Sequence, residues 1–88
     1  MEKIILEIPE EILISLKETP SELSRDIRML AAVKLYEMGR LSSGRAAQLA
    51  GIPRVSFLQS LSRYGVPIIG LSPEELKRDF ENASRRHR

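Results

Sequence analysis

The stretch Ser42-Ser43-Gly44-Arg45-Ala46-Ala47-Gln48-Leu49-Ala50-Gly51-Ile52-Pro53-Arg54-Val55-Ser56-Phe57-Leu58-Gln59-Ser60-Leu61 decides the fold. Its first half reads as a helix opened by a hydroxyl cap at Ser42 or Ser43. Ala46, Ala47 and Ala50 are small, as they must be where a second helix crosses at a steep angle. Gly51 reaches the left-handed backbone of a tight turn, and Ile52 plugs the space beneath it. Phe57 and Leu61, four residues apart, then bury the inner face of the second helix. The spacing predicts a helix-turn-helix over residues 40–65. Its outer face presents Arg54, Val55, Ser56, Gln59, Ser62 and Arg63, side chains able to meet phosphates and base edges in a major groove. Two details weigh the other way: Pro53 stands where a hydroxyl cap is commoner, and that face has only two arginines.

The distribution of charge sharpens this expectation. The formal net charge is only +2. Residues 1–37, however, carry eight acids against five bases, whereas residues 38–73 contain no acid and four arginines, Arg40, Arg45, Arg54 and Arg63. An acid-free, arginine-bearing stretch is what a phosphate-facing surface requires. The expected DNA-binding set is therefore Arg40, Ser43, Arg45, Arg54, Val55, Ser56, Gln59 and Arg63. Arg40 and Arg45 are placed for phosphates, and Arg54 and Gln59 for base edges.

Working outward, Lys3-Ile4-Ile5-Leu6-Glu7-Ile8 alternates Ile4, Leu6 and Ile8 on one face and reads as a strand. With no second convincing strand nearby, pairing with the same strand of another copy is the expected outcome, an intermolecular two-stranded ribbon. Pro9 then opens a short helix with Glu10 and Glu11 in its first turn and Ile12, Leu13 and Leu16 as its buried stripe. Thr19 or Ser21 caps a long central helix. One of its apolar stripes contains Leu23, Ile27, Leu30, Ala31, Leu35 and Met38, and a second contains Met29, Ala32, Val33 and Tyr36. Gly39 ends that helix.

Beyond the motif, Val66-Pro67-Ile68-Ile69-Gly70-Leu71 reads as a short edge strand, and Ser72-Pro73-Glu74-Glu75 starts a helix carrying Leu76 and Phe80. Ile68, Ile69, Leu71, Leu76 and Phe80 are the expected partner-binding residues of a C-terminal arm, unless they complete the protein's own core. Asn82 to Arg88 is expected to be disordered. The expected fold is thus mainly α, with three parts: strand plus helices for dimerisation over 1–39, the helix-turn-helix over 40–65, and the arm over 66–88.

The order of these features resembles a known family. The stretches Ile8-Pro9-Glu10-Glu11, Lys34-Leu35-Tyr36-Glu37-Met38-Gly39-Arg40-Leu41-Ser42, Ala46-Ala47-Gln48-Leu49-Ala50-Gly51-Ile52 and Tyr64-Gly65-Val66-Pro67 look like a small uncharacterised prokaryotic helix-turn-helix family described as antitoxin-like. The resemblance covers about residues 2–80. It implies a homodimeric protein on double-stranded DNA, with a small PIN-domain-like ribonuclease toxin as a further partner. The opening also resembles a ribbon-helix-helix protein, but Glu7 on the ribbon's exposed face would meet phosphate repulsion. The ribbon therefore reads as a dimerisation device.

Other classes find little support. There is no cysteine, and the one histidine, His87, lies beside the last residue, so no nucleophile, general base or metal cluster assembles from the sequence. No enzyme activity, cofactor or metal is expected. The apolar runs are short and no signal peptide opens the chain, which makes the cytoplasm the expected location and no membrane partner expected. Two hypotheses remain: a regulator binding DNA through Arg54 to Arg63, and a toxin-neutralising interaction module whose hairpin packs on a protein without binding DNA.

Overall fold

The computed structural model describes residues 1–68. Four α-helices follow one another: α1 (Glu10–Leu16), α2 (Pro20–Glu37), α3 (Ser43–Ala50) and α4 (Arg54–Ser60), with a 3-10 turn over Leu61–Tyr64. Local chemistry explains each boundary. Thr19 caps α2 by accepting from the Glu22 amide at 3.2 Å, while the Glu22 carboxylate accepts from the Thr19 amide at 3.0 Å. This reciprocal arrangement satisfies two amides that the first helical turn leaves without partners. Ser42 caps α3 through the Arg45 amide. Gly51 ends α3 at φ +75°.

The core gathers where the second half of α2 meets α3, α4 and the 3-10 turn. Ala32, Val33 and Tyr36 face Ala46 and Ala47 of α3, Phe57 and Leu58 of α4, and Leu61 and Val66 beyond it. Phe57 is wholly buried, and its ring meets the edge of Tyr36 at 5.7 Å and 87°. Edge-to-face packing sets the positive ring edge against the negative ring face. The alanines let α3 approach α2 and α4 closely, so three short elements enclose one aromatic pair.

Several sequence expectations are overturned. Residues 3–8 form no strand, and among the described residues no strand or sheet occurs. The reason is that β-branched alternation supplies only one edge of a ladder, and the described residues contribute no second edge to pair with it. The face formed by Ile4, Leu6 and Ile8 instead lines an apolar groove with Leu23, Ile27 and Ala31 of α2. The C-terminal strand fails at its start for a different reason. The Val66 amide donates to the Leu61 carbonyl at 3.1 Å, and Val66 itself fills the core rather than standing at a sheet edge. The remainder of that arm, with Ile69, Leu71, Leu76, Phe80 and the 82–88 tail, lies outside the described residues. In α1 the expected buried stripe is absent: Ile12 and Leu16 are exposed and Leu13 is half-buried. In α2 it is the stripe of Ala32, Val33 and Tyr36 that forms the core, while Leu30 and Met38 face outward.

The capping box gives a first testable outcome. Replacing Thr19 by Ala removes the oxygen that accepts from Glu22 and is expected to cost about 1 kcal/mol in urea denaturation. A loss below a few tenths would show that the cap is idle. The hydrogen bond from the Thr19 amide also holds the Glu22 carboxyl below its ordinary value. Its contribution is therefore present above the ordinary carboxylate range and is lost as pH falls through the lowered value. Glu18 runs the other way. A side-chain hydrogen bond shared with Asp26 raises it, so its contribution is present at low pH and is lost as pH rises through the raised value. Glu22→Gln should remove the first dependence and weaken the second, because the Glu22 charge is one of the smaller causes that raise Glu18.

Candidate nucleic-acid interface

The α3–α4 hairpin is fixed from three directions. A three-residue turn, Gly51-Ile52-Pro53, joins the helices, and the Ile52 amide donates to the Ala47 carbonyl at 3.1 Å. Ile52 packs against the core, as expected for a residue beneath the turn. Across the hairpin, the Arg54 Nε donates to Ser43 Oγ at 2.9 Å, tying the start of α4 to the start of α3. From behind, Arg28 of α2 donates through Nε to the Leu49 carbonyl at 2.7 Å. Its Nη2 lies 3.5 Å from the Gln48 carbonyl, at the limit of a hydrogen bond. The last carbonyls of a helix lack intrahelical partners and carry partial negative charge, so a guanidinium there satisfies them and complements the dipole.

The expected site residues divide by this geometry. Arg40, Arg45, Ser56, Gln59 and Arg63 are exposed, with Arg45 and Gln59 on α3 and α4 and Arg63 in the 3-10 turn. Arg54 and Val55 are half-buried, and Ser43 is buried as the acceptor for Arg54. Arg54 and Ser43 thus form an internal brace. Arg45 Nη1 donates to Gln48 Oε1 at 3.0 Å, which holds both polar side chains together on α3. Ile68, expected at the partner surface, is half-buried and packs against the core.

Two contributors were missed by the sequence reading. Gln48 sits among alanines and apolar residues, and the one signal for it is its spacing, three residues after Arg45 on the same helix, which sets the two side chains side by side. Arg28 lies in the acidic part of the chain, 21 residues before the carbonyl that it grips, and no short-range pattern signals such a contact. The hairpin itself carries no acid: between Met38 and Ile68 the only charged residues are Arg40, Arg45, Arg54 and Arg63. The nearest ion pair, Lys34 with Glu37 at 2.9 Å, is solvent-exposed and lies on α2, before this stretch begins. Among the described residues no group of three or more histidine, cysteine, aspartate or glutamate side chains is placed to hold a metal. No helix in that range is long and apolar enough to cross a membrane.

In class, then, this is a small helical protein built around a helix–turn–helix hairpin packed on a long central helix. The chain belongs to the uncharacterised protein family UPF0175, whose model matches residues 1–85. It is similar to a UPF0175 protein of Aeropyrum pernix, 40% identical over 83 residues, covering 94% of this chain and 88% of the relative. A UPF0175 protein of Archaeoglobus fulgidus is 36% identical over 59 residues, 67% of each chain. No solved structure matches the chain.

Proposed function

We propose that the protein is a DNA-binding helix-turn-helix regulator, acting in the cytoplasm on its own operon in the manner of an antitoxin-like repressor, and that it is not an enzyme. The observation that carries this reading is the exposed, acid-free surface of α3, α4 and the 3-10 turn. Exposed there are Arg45, Ser56, Gln59 and Arg63, on a hairpin braced from behind by Arg28. Arginines suit phosphates, and short polar side chains suit base edges.

A mobility shift on the protein's own promoter DNA, repeated across salt concentrations, tests it. If two hairpins together neutralise about six phosphates, log K should fall against log salt with a slope of about −5. A slope near zero overturns the proposal. Within that experiment, Arg45→Ala removes one phosphate contact from each of the two hairpins, so it should weaken specific and random DNA alike and make the slope shallower by about 2. Gln59→Ala should instead change the preferred sequence at one position with the slope kept. Equal losses on both DNAs for both variants would refute this division of labour.

One observation favours a second reading, that of a module which neutralises a small PIN-domain-like toxin through this hairpin without binding DNA. The Arg54 Nε is engaged by Ser43, so fewer cations face outward from α4 than its sequence promises. On that reading the promoter shift is absent at every salt concentration.

A further inference from the structure

The first third of the chain folds without an interior of its own. Among residues 1–31 only Leu23 is buried, and α1 buries none of its side chains. Isolated helices shorter than about 12–15 residues are marginal in water, and α1 has seven residues. Around it stand large apolar side chains in solvent: Ile4, Ile5, Leu6, Ile12, Ile14 and Leu30, with Ile5 88% and Leu30 54% exposed. Beside these knobs lies a hole. Residues 1–8 and α2 enclose an open apolar groove of about 890 Å³, floored by Leu23, Ile27 and Ala31 and walled by Ile4 and Leu6.

We propose that a second copy of this chain covers this face, so that residues 1–16 and the outer side of α2 form a two-fold interface. Three features select a second copy over other partners. The first is size: eight large apolar side chains, those exposed among residues 4–16 together with Leu30, are 37–88% exposed, more apolar surface than a lone soluble chain ordinarily leaves bare. The second is shape. A two-fold contact apposes one patch to itself, so the patch must hold both projection and recess, and here exposed isoleucines lie next to an empty groove. The third is charge. The groove margin carries Glu2, Lys3 and Arg28, both signs within one patch, which pairs with its own two-fold image and suits no partner of a single strong charge. The contact is made by side chains and needs no pairing of backbone strands. It does not depend on α4 meeting DNA.

The test uses the full chain without DNA. Sedimentation equilibrium over roughly 1–100 µM should give twice the 10.0 kDa chain mass. Ile5→Glu and Leu30→Glu each place a charge on a side chain that a single chain leaves more than half exposed, so α2 to α4 should keep their circular dichroism while association weakens at least ~100-fold. Because the chain has no cysteine, Leu30→Cys gives a second readout that does not depend on how charge is tolerated. Its alkylation should slow as protein concentration rises, while Ser62→Cys reacts at a constant rate. A wild-type chain sedimenting at its single mass throughout overturns the proposal and leaves the face to another occupant. A dimer that both glutamate variants leave intact, with Leu30→Cys alkylated equally fast at all concentrations, also overturns it by placing the interface elsewhere.

Discussion

Replacing Phe57 by Ala is expected to cost about 3–5 kcal/mol, a large part of the 5–15 kcal/mol that holds an ordinary domain folded. Phe57 is 0% exposed, and its ring meets the edge of Tyr36. The cost exceeds the lost burial because the site closes only in part. Three of the residues that share its core, Ala32, Ala46 and Ala47, have only a methyl group and cannot swing into the gap, so closing it falls to the larger neighbours and part of the cavity persists. The Phe57 carbonyl also accepts from Ser60 Oγ at 2.7 Å, which pins the backbone of α4 where the ring is lost. Urea denaturation should show a lower midpoint with an unchanged slope. Phe57→Leu, keeping much of the volume, should recover most of the loss. A cost below 1 kcal/mol for Phe57→Ala would mean that α4 repacks freely, and the hairpin would then be a poor platform for reading any surface.

Gly51→Ala is expected to cost about 2 kcal/mol for two separable reasons. At φ +75° a side chain crowds the following carbonyl, worth roughly 1–2 kcal/mol. The new Cβ would also stand 3.1 Å from Nη2 and 3.3 Å from Nη1 of Arg28. That guanidinium is not free to swing aside, since its Nε is committed to the Leu49 carbonyl. The two reasons part in a double-mutant cycle. With Arg28 already replaced by Ala, Gly51→Ala should cost only the backbone strain, several tenths of a kcal/mol less than in the wild-type background. Identical costs in the two backgrounds would show that α3 does not feel the arginine behind it.

These two residues also show what a one-dimensional reading can and cannot reach. Gly51, Ile52, Ser42, Thr19 with Glu22, and the small Ala46 and Ala47 act through neighbours a few positions away, and their spacing alone marks helix starts, the turn and the crossing point. The aromatic anchor Phe57 is legible in the same way. Residues 3–8 misled because alternation reports which side chains share a face, while a strand also needs a ladder partner that local sequence does not contain. The stripes of α2 misled in degree: both are apolar enough to bury, and tertiary packing chose the one containing Val33 and Tyr36. Arg54 and Ser43 were expected at the surface because polar residues flanking a helix usually are. Their hydrogen bond to each other, 11 residues apart, is settled only when the hairpin closes.

The uneven burial of the chain sets a gradient of local stability. From Ala32 onward the described helices share one interior, so their amides should exchange with solvent only through cooperative opening of that core. Between Glu10 and Leu16, by contrast, opening a turn disturbs no more than the half-buried Leu13, and exchange there should approach that of a free peptide whenever the face is bare. The α1 amides therefore serve as a built-in gauge of occupancy. Their protection should rise and fall with whatever covers them, while the core registers almost nothing.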